Sequence, residues 1–110
     1  MSDAKVRVII KRPDEKFGHV TNISTRLENL QKTVEGYIET VPLAHNVTLI
    51  CNEEGKLLGL EPNRPLYGSH GEMYDIICGP FIVAGLTVDN FGSLTEKQAV
   101  TYMEKFSLKS

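Results

Sequence analysis

Apolar residues recur at helical spacing in only two stretches of this chain: Ile23, Leu27, Leu30 and Val34, and then Ala99, Tyr102, Met103 and Phe106. Such spacing places them on one face of a helix. The other apolar runs are short, rich in Val, Ile and Leu, and bounded by Gly, Pro, Asn or charged residues, as strands are. The order β, α, several β, α predicts an α+β fold, a mostly antiparallel sheet with two helices packed on it. A chain of 110 residues has room for one hydrophobic core, so residues 1–110 are read as a single domain.

The local signals give expected boundaries. Lys5 to Arg12 alternates, with Val6, Val8 and Ile10 on one face, and predicts a strand covered on one side. Residues 13–22 read as a loop. Thr25 with Glu28 forms a candidate capping box for a helix over 25–35, which Gly36 would end in a left-handed turn. Tyr37 to Val41 and Val47 to Asn52 read as strands joined through residues 42–46, with His45 and Asn46 at the tip. The segment Asn52-Glu-Glu-Gly-Lys56 between Val47–Cys51 and Leu57–Leu60 predicts a tight hairpin with Gly55 at positive φ. Residues 61–72 read as a long ordered loop. Tyr74–Cys78 and Phe81–Leu86 read as strands split by Gly79-Pro80, at a bulge or an edge. Ser93 with Glu96 is a second capping box, opening the last helix.

Twelve Lys and Arg against fourteen Asp and Glu leave a net charge of -2 and a pI near 5.9, too balanced to track DNA. The start, Met1 to Lys5, has no apolar leader core, and no apolar run approaches the roughly 20 residues of a membrane helix; a soluble protein of the cytoplasm is expected. Cys51 and Cys78 each sit in a strand-like run without C-x-x-C spacing, which predicts buried reduced thiols. His19, His45 and His70 share no metal-ligand spacing, and the conceivable cluster of His70, Glu72 and Asp75 is thin. There is no G-x-S-x-G, no P-loop and no G-x-G-x-x-G, so no catalytic residue, cofactor or metal is expected.

Binding chemistry stands out in two places. Lys5, Arg7, Lys11 and Arg12 are four of the first twelve residues; they either hold phosphate oxygens or protect a solvated face. Residues 63–71 gather Asn63, Arg64, Tyr67 and His70 among small residues, a set that can clamp a phosphate, stack a base and read its edge. The alternative pairs Arg64 with Glu61 or Glu72 and uses Tyr67 to plug the end of a sheet. Tyr37 shares a strand face with Glu39 and is a further stacking surface if that face is open.

Gly36-Tyr-Ile-Glu39, Asn52-Glu-Glu-Gly-Lys-Leu57, Gly59-Leu60, Asn63-Arg64 and Asp75-Ile-Ile-Cys-Gly-Pro80 resemble a family of small domains of unknown function, common in bacteriophages and mobile elements of Gram-positive bacteria. The likeness covers residues 27–100. It implies a phage origin, and by analogy a counter-defence protein that sequesters a cyclic nucleotide immune signal in the host cytosol. On that reading Lys11, Arg12, Tyr37, Asn63, Arg64, Tyr67 and His70 bind the ligand. A core of this size hardly encloses a cyclic dinucleotide, so a homo-oligomer is expected, most simply a twofold dimer. The competing expectations are a phage protein that occludes a host protein and an accessory that binds nucleic acid.

Overall fold

A computed structural model describes residues 5–107; Met1 to Ala4, where the absence of a leader was read, lie outside the described residues. The elements are β1 (Lys5–Lys11), β2 (His19–Ser24), α1 (Leu27–Val34), β3 (Ile38–Ala44), β4 (Val47–Asn52), β5 (Pro62–Tyr67), β6 (Met73–Cys78), β7 (Phe81–Leu86), β8 (Phe91–Gly92) and α2 (Glu96–Lys105). This is an α+β fold with a mostly antiparallel sheet. The large sheet has the order β2-β1-β7-β4-β3, with β8 added to β7, and β5 and β6 form a separate two-stranded sheet.

The helices lie on opposite faces. One core cluster joins Leu30 and Val34 of α1 to Val8, Ile10, Ile50, Ile82 and Ala84. The other joins Ala99, Tyr102 and Phe106 of α2, together with Leu66 and Ile77 of the small sheet, to Ile9, Leu49, Cys51, Phe81 and Val83. Strands covered on both faces need apolar residues at consecutive positions. β4 is accordingly buried at all six positions, and β7 at its first five. The second half of β1 is buried on both faces as well, which corrects the expectation of one-sided cover.

Several local signals yielded to tertiary pairing. Residues 13–18 do form a loop, but His19–Ser24 pairs with β1 along six positions and takes Ile23 out of the helix. α1 begins at Leu27 with Arg26 as an N-cap that has no side-chain cap bond, and the left-handed residue at its end is Glu35 (φ 67°), so neither Thr25 nor Gly36 acts as read. Gly36 is needed for closeness instead, since a Cβ there would stand 2.6 Å from Asn52 Nδ2. β3 runs through Pro42 to Ala44, with a register shift between them; an edge strand tolerates the missing donor. His45 and Asn46 do form the turn between β3 and β4.

The hairpin expected after Cys51 is absent. Both edges of β4 are taken, by β3 and β7, so residues 53–59 leave the sheet as successive turns, with Leu57 84% exposed. The positive φ falls at Gly59 (72°) rather than Gly55. Half of the expected long loop over 61–72 is strand: β5 carries Pro62 and Pro65 and pairs only with β6, and both strands of a two-stranded sheet are edges. Gly79-Pro80 is the crossover from the small sheet into the centre of the large one, with Gly79 at φ 87°.

The capping box of α2 also sits two residues later than read. Thr95 Oγ1 accepts from Gln98 N at 3.1 Å while Gln98 Oε1 accepts from Thr95 N at 2.9 Å, and Ser93 Oγ accepts from Arg7 N at 3.0 Å. Thr95→Ala is expected to cost about 1 kcal/mol, read as a lower urea midpoint at unchanged m-value; Ser93→Ala leaves that helix cap intact.

Candidate functional site

Register places a single row of side chains under the small sheet. Lys11 is opposite Phe81 and Glu39 opposite Cys51, and the Ile50–Ile82 pair next to them sets Cys51 beside Phe81. The row therefore runs Lys11, Phe81, Cys51, Glu39 across β1, β7, β4 and β3, about 14 Å at the usual strand spacing. The hairpin of β5 and β6 lies over this end, sending Leu66 and Ile77 into the core below it.

At the β1 end the two sequence-predicted places meet. Lys11 is only 1% exposed, and its ammonium donates to Arg12 O at 2.6 Å and to Asn63 Oδ1 at 3.0 Å. Asn63 Nδ2 donates in return to Lys11 O and Gly79 O, each at 2.9 Å. Asn63 can do this because β5 shifts register between Pro62 and Arg64. One amide thus ties together the end of β1, the small sheet and the crossover.

Burial holds the Lys11 ammonium below its ordinary pKa, and the neighbouring Arg64 guanidinium pushes the same way, against Glu15 and Asp14. Arg64 is half-buried, and its Nε is buried with no hydrogen-bond partner. Among the described residues Arg64 forms no ion pair with Glu61 or Glu72, and Glu15 is shared between Arg12 and His19, each at 3.7 Å. Two adjacent cations with no carboxylate bound to either among the described residues make a place where an anion is electrostatically favoured. A recess of about 240 Å³ lies next to Arg12 and Gly79 and is lined also by the carboxylates Asp14, Glu35 and Glu61.

The other candidates lie elsewhere. Tyr67 is 58% exposed at the far end of β5, about 13 Å along the strand from Asn63. His70 is exposed in the turn that follows. Tyr37 is exposed just before β3, where its carbonyl accepts from Glu53 N, at the other edge of the sheet, three strands from Lys11. Four of seven candidate residues therefore converge, and three do not.

The match to known families starts at the first strand. A family profile described as a domain of unknown function, DUF3846, matches residues 6–107. The chain belongs to that family. The DUF3846 match takes in Lys11 and Arg12, so the basic strand is family core, as the resemblance over residues 27–100 did not imply. No curated protein and no solved structure matches the chain. Among the described residues no helix is long and apolar enough to cross a membrane.

At the β3 end of the row this DUF3846 chain has a larger recess, about 370 Å³, that sequence reading missed. It lies between the turns at 53–57, the β3–β4 edge and β6, and takes in both thiols. Cys51 is buried and Cys78 half-buried, each free. Lys56 pairs with Asp75 there, which raises the lysine and lowers the carboxyl. Asp75 is thereby unavailable to His70 and Glu72, and no group of three or more metal-ligating side chains forms among the described residues. The signal for this recess was parity: Glu39 and Cys51 fall on one face only once the β3–β4 register is known.

Proposed function

We propose that this DUF3846 protein binds a nucleotide phosphate without altering it, at the Lys11–Arg12–Asn63–Arg64 centre. The supporting observation is the juxtaposition of the Lys11 ammonium and the Arg64 guanidinium, with no carboxylate bound to either and Arg64 Nε unpartnered among the described residues. An arrangement that costs stability in the free protein is repaid when an anion arrives. The recess next to Arg12 carries three carboxylates against that one guanidinium, which suits the N–H and O–H donors of a ligand whose phosphate lies outside it, at Lys11 and Arg64. At about 240 Å³ it is smaller than the roughly 300–1,000 Å³ of a pocket that encloses a small ligand, in keeping with a site completed by a second copy. The finer reading is a phage counter-defence protein that sequesters a cyclic nucleotide immune signal, and it rests on the resemblance to phage-borne domains.

Thermal melting with cyclic mono-, di- and trinucleotides, their linear counterparts and inorganic phosphate tests both levels. A ligand at 100 times its Kd adds about 2.7 kcal/mol. Arg64→Ala is expected to weaken binding by about 1.5–3 kcal/mol, tenfold or more in Kd, while the unliganded fold melts close to wild type. A shift with linear and cyclic nucleotides alike keeps the phosphate site and removes the signal-specific role. No shift with any of them removes the site. A second reading, occlusion of a protein partner, is favoured by the apolar groove between β2 and α2, where Phe17, Val20 and Val100 are each more than two-fifths exposed.

A further inference from the structure

The geometry points to a second binding site, independent of the anion centre: the 370 Å³ recess at the β3 end accepts a small organic cation, an ammonium or guanidinium carried on an apolar body. The rim and the floor of this recess differ in chemistry. Four carboxylates line it, Glu39, Glu53, Glu54 and Asp75, against one ammonium, Lys56. Lys56 is engaged by Asp75, and among the described residues none of Glu39, Glu53 and Glu54 has a cationic partner. The surplus is three negative charges around one concavity. Opposite them the floor is apolar and soft, made by Ile77, Cys78 and the Cys51 thiol, which is 3% exposed and has no hydrogen-bond partner among the described residues. Glu39 and Asp75 are close enough to help burial raise that thiol, so their field reaches the bottom of the recess.

The walls are also held in place before any ligand arrives. Asn52 donates from Nδ2 to Val34 O at 3.1 Å and accepts at Oδ1 from Glu54 N at 2.7 Å, fixing the acidic turn to α1 and β4. Gly55 is seated directly on β6, where a Cβ would come 2.6 Å from Cys78 O. A preformed concavity with an apolar floor and an uncompensated acidic rim complements an amphipathic cation, since ordering costs are already met. It repels the phosphates for which Lys11 and Arg64 are suited, which separates the two ends of the row by ligand charge.

Agmatine, a guanidinium and an ammonium on four methylenes, is the probe. Titrated into the whole protein and followed by amide NMR against sodium chloride at matched ionic strength, it is expected to bind saturably, with shifts gathered at 53–57 and 75–78. Glu39→Gln, a change at an exposed edge-strand position, is expected to weaken binding about fivefold or more, as for one lost charge-assisted contact. Glu28→Gln, on the far helix, leaves it unchanged. Bound agmatine also slows alkylation of the half-buried Cys78 by iodoacetamide. Shifts no larger than those with sodium chloride, or saturable binding that Glu39→Gln and Glu54→Gln both leave intact, overturn the proposal.

Discussion

Phe81→Ala is expected to destabilise the protein by about 3–5 kcal/mol, the usual loss for deleting a fully buried aromatic side chain. Phe81 is 0% exposed and is the first residue of the central strand β7. Its ring meets Phe106 of α2 edge-on, with centroids 5.1 Å apart and planes at 70°, and Phe106 in turn stacks near Tyr102 at 6.3 Å. The substitution therefore removes the contact through which the last turn of α2 grips the sheet, and neighbours on both sides in its row, Lys11 and Cys51, are held by backbone pairing and cannot collapse into the space. A domain of this size has about 5–15 kcal/mol in hand, so roughly a fifth or more of its stability is at stake. Urea unfolding measures the loss. A change under about 1.5 kcal/mol would mean that the aromatic trio does not join the layers.

The second large effect is alkaline. Burial, followed by the fields of Glu39 and Asp75, pushes the Cys51 thiol up from 9.0 to about 12. Between those values the unfolded chain has released this proton and the folded one has not, so the unfolded state binds fewer protons and stability falls as pH rises, by up to about 1.4 kcal/mol per unit. At pH 10.5 the loss is about 2 kcal/mol. Lys11 acts with the opposite sign. Its folded pKa is lowered, so its cost is present at neutral pH and is relieved as pH rises through that folded value toward its ordinary 10.5. The difference between wild type and Cys51→Ala isolates the thiol. Urea midpoints taken from pH 8 to 10.5 are expected to show the wild type losing its lead over Cys51→Ala as pH rises; parallel curves would show that Cys51 does not titrate late.

The candidate site was half legible. Lys11, Arg12, Asn63 and Arg64 could be singled out because basic and amide side chains of those types suit an anion. That Lys11 is buried could not be read, because alternation placed it on the face assigned to solvent. Tyr67, His70 and Tyr37 were included because an aromatic or imidazole near the same sequence window suits a nucleotide, but a strand carries residues away at about 3.3 Å each, so proximity in sequence became distance in space. The recess at Cys51 and Glu39 left no trace in the local sequence, because its walls come from β3, β4, the turns at 53–57 and β6.

The sequence by itself determined the α+β class, the helix of α2 with its buried Ala99, Tyr102 and Phe106, and the turn at His45 and Asn46. These depend on side-chain periodicity and on residues that bend the backbone within a few positions. Only the tertiary structure decided which strand pairs with which: that β4 lies between β3 and β7, that the stretch after Asn52 leaves the sheet, and that a proline-bearing segment becomes β5. A backbone donor or acceptor is satisfied equally well by any strand of matching register, so the choice among partners falls to the burial of whole faces, which no short window contains.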